Sequence, residues 1–397
     1  MTRPVPPGDS NLVTDAPVDA ARVAAASVDA APPDERPDPV PVADGDDRTE
    51  CRWSARLRRL MVAAVLAWLL FAVANLAISG HFWLWAVPDL LPPLMFLAVP
   101  AGLGGLALAL RRRTLPVALA VAGLVVGVPQ SGLNPGALGP GPGPAPAGAI
   151  HVFSWNAEVW NLWDDPAHFY RFLRAQHADV YLLQEYQQAD DPAVTAADEQ
   201  RLHAAFPGYT MVERGELLTI SRLPVVGVRV LGTTPAGTSY QDYYQAVKSL
   251  RTDVRTGGRV VSLYNVHIPI QIDLSSPLRA TFYRLLRARA GSRRVQYHAL
   301  ARDIDANPLP KLVAGDFNTS PDMGEIRTIL GRLHSATAAN RSLYPTSWNA
   351  HWWPRLWRLD WAFTSSDVHV YRYAFRDPQG MSDHRAQDLL IAPGNGS

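Results

Sequence analysis

The stretch VAGDFNTSP, residues 313–321, runs from a short apolar segment straight into an acid, an amide and a turn. Asp316 and Asn318 stand two apart, so on an extended backbone they share a face. A carboxylate and an amide on one face suit a hard cation or a phosphoryl oxygen. Gly315, just before them, implies a close approach of the backbone to a neighbour. Alone the pair is ordinary, because Asp and Asn form turns at many strand ends. The pattern recurs, however. IHVFSWN ends at Asn156, VYLLQE at Glu185 and SLYNVH at His267. LDW opens on Asp360, and SDH sets Asp383 and His384 before a last apolar run, Ala386–Ile391. Each has a structural reading: Asn156 as a cap, Glu185 as an exposed strand end, His267 as a satisfied core histidine. Polar groups gathered at strand ends from distant parts of a chain are nevertheless how a rigid scaffold builds a site.

The elements that must position these residues begin near Ile150. Short apolar runs recur from there (IHVFSW, VYLLQE, LLTIS, VVSLYNVHI, KLVAGDF, LDWAFT), separated by helical stretches at Pro166–His177 and Leu278–Ile304. Strands and helices mixed over residues 150–397 predict one α/β or α+β domain. The preceding residues read differently. Residues 1–50 are rich in Asp, Pro and Ala with almost no aromatics, a composition that cannot offset its ordering entropy, and are expected to be a disordered tail. Residues 51–133 hold three uncharged apolar stretches, Leu60–Ser79, Leu90–Leu110 and Thr114–Leu133. The first has the ~20 residues that cross a bilayer. Prolines interrupt the second, and Pro129 and Gln130 the third, so two or three transmembrane helices are expected. The first stretch starts too late and runs too long for a cleavable signal peptide. Residues 134–149 form a Pro/Gly linker.

Basic residues orient the region. Arg52, Arg56, Arg58 and Arg59 flank the first stretch and Arg111, Arg112 and Arg113 lie between the second and third, which puts both clusters in the cytoplasm. Three crossings then carry residues 150–397 outside; two would leave them inside. Trp83 and Trp85 would suit the outer interface. A net charge of +1 over 397 residues gives no electrostatic case for a dedicated nucleic-acid binder. The single cysteine, Cys51, allows no disulfide within one chain.

Through SWN, LLQE, NVH, GDFN, RLDW and SDH, with ISRLPV at residues 220–225, the chain resembles the endonuclease/exonuclease/phosphatase superfamily over roughly residues 150–392. The resemblance implies a four-layer α/β sandwich, two mixed sheets face to face with helices outside. It also implies a divalent cation, Mg²⁺ with Mn²⁺ as the alternative, held by Glu185 with Asn156 and Asp383. Asp316 would orient or deprotonate the attacking water, Asn318 and His267 would hold phosphoryl oxygens, and Asp360 would fix the tautomer of His384. Whether His384 or Asp316 is the base stays open. The implied reaction is hydrolysis of a phosphate ester or anhydride by in-line attack of water.

The motifs are common to many substrates, so context must choose among them. With its membrane region the chain is similar to the membrane-anchored teicoplanin-resistance phosphatases, which implies a polyprenyl pyrophosphate such as undecaprenyl pyrophosphate. A surface-anchored nuclease and a sphingomyelinase-type phospholipase C are the alternatives; no protein partner is implied. Two stretches bear on the choice. Residues 348–361 carry Trp348, Trp352, Trp353, Trp357 and Trp361, which suit either a membrane interface or core packing. Residues 278–302 carry Arg279, Arg284, Arg287, Arg289, Arg293, Arg294 and Arg302 among apolar residues, as either a headgroup-binding face or the solvated face of a helix covering a sheet.

Overall fold

The computed structural model describes residues 45–110, 112–160, 164–186, 196–232, 247–272, 277–349 and 354–394. The chain divides into two compact units, residues 1–50 and 51–397. Of the expected tail, residues 1–44 lie outside the described residues; residues 45–50 are helical, because the first helix, α1 (Gly45–Ile78), begins upstream of the apolar stretch.

Among the described residues, twelve strands build the globular part. β1 (Ile150–Asn156) and β2 (Val180–Gln184) run parallel, with Asn156 level with Gln184. They are joined by β3 (Thr210–Arg214), β4 (Leu217–Ser221), β11 (Val368–Arg376) and β12 (Ala386–Pro393) into a sheet of order β11-β12-β1-β2-β4-β3. The second sheet has order β5-β6-β7-β8-β10-β9, made of β5 (Val225–Leu231), β6 (Ser249–Thr256), β7 (Arg259–His267), β8 (Lys311–Asp316), β9 (His334–Ser335) and β10 (Asp360–Thr364). Both sheets are mixed, since β1–β2 and β7–β8 are parallel and their other neighbours antiparallel.

The central strands, such as β2, β4, β8 and β10, are buried on both faces, and the alternation of side chains divides the core into layers. Ile150, Val152, Val180 and Leu182 point one way, against Val261, Leu263, Leu312 and Ala314 of the second sheet. Phe153, Trp155, Tyr181 and Leu183 point the other way, toward Phe169, Phe172 and Leu202 on α4 (Pro166–Ala175) and α5 (Ala196–Ala205). Tyr264, Val266, Val313 and Phe363 leave the second sheet on its outer side to meet Tyr297, Leu300 and Ile304 of α6 (Ala280–Ala306). Helix, sheet, sheet, helix is the four-layer order the motifs imply. Asp165 caps α4 by accepting from Ala167 and His168 N–H.

Two further helices, α2 (Met95–Leu108) and α3 (Thr114–Gly127), precede the sandwich. Among the described residues one helix is long and apolar enough to cross a membrane, Trp53–Ile78; Trp83–Leu90 with Met95–Leu108 forms a pair bent by 59°, and Thr114–Gln130 is shorter. The domain-side ends of these helices are seated on the sandwich. Asn75 Nδ2 donates to Gln130 Oε1 (3.0 Å) and to the Asp322 carbonyl (2.9 Å), and Gly324 N–H donates to Ser79 Oγ (2.7 Å). A Cβ on Gly324 would sit 1.8 Å from the Ser79 carbonyl, so this approach needs glycine. The Pro/Gly stretch is not a free tether throughout: Asn134 Nδ2 donates to the Asn340 and Ser342 carbonyls, and Pro135–Leu138 forms a 3₁₀ turn.

Candidate active site

Strand direction explains where the polar residues go. β1, β2, β7 and β8 end at one rim of the sandwich, at Asn156, Gln184, His267 and Asp316. β10 runs against β8, so its first residue, Asp360, is level with Asp316; β12 runs against β1, so the SDH segment before it reaches the same rim. Gly315 supplies the approach expected of it. Its φ is +149°, and a Cβ there would lie 1.9 Å from the Val266 carbonyl of β7. Glu185 (φ +51°), directly after β2, and Asn318 (φ +45°), two residues after β8, both take the left-handed backbone uncommon for non-glycine residues.

All eight expected side chains meet there. Asn156 Nδ2 donates to Glu185 Oε1 and to Asp316 Oδ2, both at 3.0 Å. Asn318 Nδ2 lies 3.2 Å from Asp316 Oδ2 and 3.3 Å from His267 Nε2, and Asn318 N–H donates to Asp316 Oδ1 (2.7 Å). His267 Nε2 is 3.5 Å from Glu185 Oε1 and 3.7 Å from Asp316 Oδ2. His384 Nε2 is 3.6 Å from Asp316 Oδ2 and 3.8 Å from Asp383 Oδ1, while its Nδ1 lies 2.8 Å from Asp360 Oδ2. Asn156 also does what a cap does, since its Oδ1 accepts from Glu158 N–H.

Neighbours hold the set in place. Ser382 Oγ donates to the Asn156 carbonyl and accepts from His384 N–H. Ser347 Oγ accepts from the N–H groups of Leu359 and Asp360. Trp348 Nε1 donates to Asp383 Oδ2 (2.6 Å), and Trp348 packs edge-on against Trp357, so these two indoles wall the site. Trp361 belongs to the core, stacked on Phe363; Trp352 and Trp353 lie outside the described residues.

Two residues escaped the sequence reading. Glu216, buried in the turn before β4, is ion-paired with Lys248 and lies 3.0 Å from His267 Nδ1. Both immediately precede strands. β4 is antiparallel to β2 and β6 to β7, so these strands start at the rim where the others finish. The signal lies in GELLTIS and VKSL, where an acid and a lysine stand directly before strands that start at the rim where their neighbours end.

Burial and charge set the protonation. Burial opposes a charged His384, but the carboxylates of Asp360 and Asp316 outweigh it and raise its pKa well above the usual histidine value. Burial also works against a charged His267; Glu216 outweighs it, against opposition from Lys248, and raises it. Glu216 itself would be pushed up by burial, yet His267 and Lys248 draw it down to about 2. Burial, reinforced by Asp360, raises Asp316 despite His384.

Whether the pocket suits a divalent cation can be judged from its donors. Glu185, Asp316, Asp360 and Asp383 crowd oxygen ligands around two imidazoles, and Asp360 Oδ1 is buried with no hydrogen-bond partner among the described residues. A hard cation takes such an oxygen set and relieves its repulsion. Asp316, Asp360 and His384 also offer ligand atoms within 4.8 Å of one another, although His384 Nδ1 is already committed to Asp360. The residues fit a metal.

A rim of carboxylates, amides and imidazoles able to hold a metal, on a two-sheet α/β sandwich, is the arrangement of a class, the metal-dependent phosphoesterases and nucleases. The sequence profile of the Endonuclease/Exonuclease/phosphatase family matches residues 154–384, more than half of the chain, and the chain belongs to that family. Among solved structures, an endonuclease/exonuclease/phosphatase from Bacteroides vulgatus is 17% identical, with a TM-score of 0.46 over 62% of this chain and 99% of its own. One from Beutenbergia cavernae is 17% identical, with a TM-score of 0.44 over 62% and 72%. A humanized D. rerio TDP2 is 16% identical, with a TM-score of 0.46 over 62% and 100%. No curated protein matches the chain.

Proposed function

We propose that the chain is a membrane-anchored, Mg²⁺-dependent phosphohydrolase that removes phosphate from a lipid pyrophosphate of the undecaprenyl pyrophosphate kind, as in the teicoplanin-resistance branch. The observation that carries the reading is the junction of one phosphoesterase rim with a set of apolar helices on the same domain. Glu185, with Asn156 and Asp383, would hold the cation, which when bound neutralises charge on the phosphoryl oxygens. Asp316 orients a water for in-line attack. Asn318, anchored by the Ile268 carbonyl (3.0 Å), and His267 donate to phosphoryl oxygens. His384, fixed by Asp360 and carrying a proton at neutral pH, faces the charge that develops as the phosphorus–oxygen bond breaks; Asp316 is then the base.

Support for the membrane comes from the helices. At 1.5 Å per residue, the 26 residues Trp53–Ile78 reach about 39 Å, against a hydrocarbon core of ~30 Å. Leu60 and Leu70 are 67% and 60% exposed and Val125 69%, a surface that water penalises and lipid does not. The C-terminal end of α1, the start of α2 and the end of α3 all approach the catalytic domain: Asn75 at Asp322, Pro93 and Gly132 beside one another with Pro321 and Tyr344. Three crossings fit that arrangement and, with Arg112 and Arg113 on the far side, an extracytoplasmic catalytic domain.

The test offers the detergent-purified full chain a polyprenyl pyrophosphate, sphingomyelin and DNA in parallel, with Mg²⁺. Inorganic phosphate from the first alone is expected. Nucleotides from DNA alone, or phosphocholine from sphingomyelin alone, would replace this reading with the nuclease or the phospholipase C.

A further inference from the structure

Helix α6 packs on two different partners. Its C-terminal half covers the second sheet through Tyr297, Leu300 and Ile304. Its N-terminal half turns Phe282 and Leu286, with Ile272, against Trp83, Ala86 and Leu90 in the segment between α1 and α2. Arg294 Nη2 donates to the His81 carbonyl (3.4 Å), a second tie to that segment. Arg293 is buried and bonds Glu325, Thr319 Oγ1 and the Pro269 carbonyl, which fixes the helix to the loop after the active-site Asn318.

The rest of the helix surface is left uncovered by the described residues. Leu278 is 99% exposed and Leu285 53%, with Tyr283 and Val295 also exposed. Arg279, Arg284 and Arg287 stand exposed among them. Residues 277–302 contain seven arginines and no acidic residue. Phe82, Leu84 and Val87 on the adjoining segment are exposed as well. Water favours the guanidinium groups but not the leucines, and a protein core favours the reverse. The boundary of an anionic bilayer accepts both, guanidinium at the lipid phosphate and apolar groups at the acyl boundary.

We propose that the stretch from Leu278 to Val295, which leads into α6 and runs just past its middle, lies on the anionic phospholipid surface of the membrane that α1 crosses, and so sets the tilt of the active-site rim toward the bilayer. The inference rests on the membrane-anchor reading above. Its other support is the continuity of the apolar and cationic face with the segment leaving α1.

The single cysteine makes a direct test available. A Cys51→Ser background carrying Leu285→Cys is labelled with an environment-sensitive fluorophore and reconstituted as the full chain in phosphatidylcholine discs, with and without phosphatidylglycerol. The control is Arg171→Cys, on α4 in the layer farthest from α6. Spin-labelled lipid should quench the Leu285 label several-fold more than the control when phosphatidylglycerol is present. Arg279→Gln, Arg284→Gln and Arg287→Gln combined should bring that quenching down to the level of the control, with phosphate release from a short-chain, soluble prenyl pyrophosphate unchanged. Equal quenching at both positions, in a chain that resists alkaline extraction, would overturn the inference and leave the anchor standing. A chain that alkali removes from the membrane would defeat the anchor itself and this inference with it.

Discussion

The imidazole of His384 lies between two carboxylates that reach it from different strands, Asp360 at Nδ1 and Asp316 at Nε2. A proton on such a ring is stabilised from both sides, whereas an uncharged ring would leave two buried carboxylates facing each other. Asp360→Asn keeps the shape but removes the stronger partner. We expect kcat to fall by ~10²–10⁴, the range for a misoriented acid–base group, with KM little changed. Glu216 acts one contact further out, through His267. A raised histidine pKa means the ring is charged below that pKa and loses its charge as pH rises through it, so a reaction needing charged His267 fails on the alkaline side. Glu216→Gln removes the group that raises it; the alkaline limb of kcat/KM should therefore move to lower pH. The same change breaks the buried Glu216–Lys248 ion pair and should cost about 3 kcal/mol of stability in a denaturant titration. At this scale the sequence singled out, by residue type and placement at strand boundaries, eight side chains that the fold brings to one rim. It missed Glu216 and Lys248 because only tertiary pairing brings their strand starts beside His267.

Strands position these groups, and two features of the strands can be tested apart from catalysis. Gly315 lets β8 approach β7 so closely that any side chain would strike the Val266 carbonyl. Gly315→Ala must part the two strands or distort the backbone, and a loss of about 3 kcal/mol is expected from thermal unfolding, at the upper end for overpacking. On the first sheet, burial would raise the pKa of Asp388, but His151, Arg376 and Arg372 outweigh it and hold it below the carboxylate range. A lowered folded pKa gives stability that is present above the unfolded value of ~3.9 and is lost as pH falls through the folded one. Wild type should exceed Asp388→Asn by about 1 kcal/mol at neutral pH, a figure reduced because both guanidiniums are substantially exposed, and the difference should shrink below pH ~4. The strands were legible because they are short apolar runs with turns between them. The distribution of those strands between two sheets was not, since it depends on pairings such as β2 with β4 and β8 with β10 that no local pattern encodes.

On the scale of the whole chain, the apolar helices and the sandwich share a polar joint built from Asn75, Gln130, Ser79 and the loop 320–325. That loop follows Asn318 by a few residues, so the joint holds one side of the active site. The sequence showed three apolar stretches and a Pro/Gly linker. It did not show the joint, because a polar residue inside an apolar run, such as Asn75, gives no indication of its distant partner. Asn75→Leu would leave the Gln130 and Asp322 groups unpaired, and should lower the Tm of the detergent-solubilised chain without changing Mg²⁺ dependence. The most direct measurement of the central claim is Mg²⁺-dependent phosphate release by the full chain, compared with Glu185→Gln and His384→Gln. Convergence on one site predicts that EDTA abolishes release and that each substitution lowers kcat at least ~10²-fold while the protein stays folded. Release at the wild-type rate from either variant would mean that these side chains, though adjacent, do not form the reacting centre.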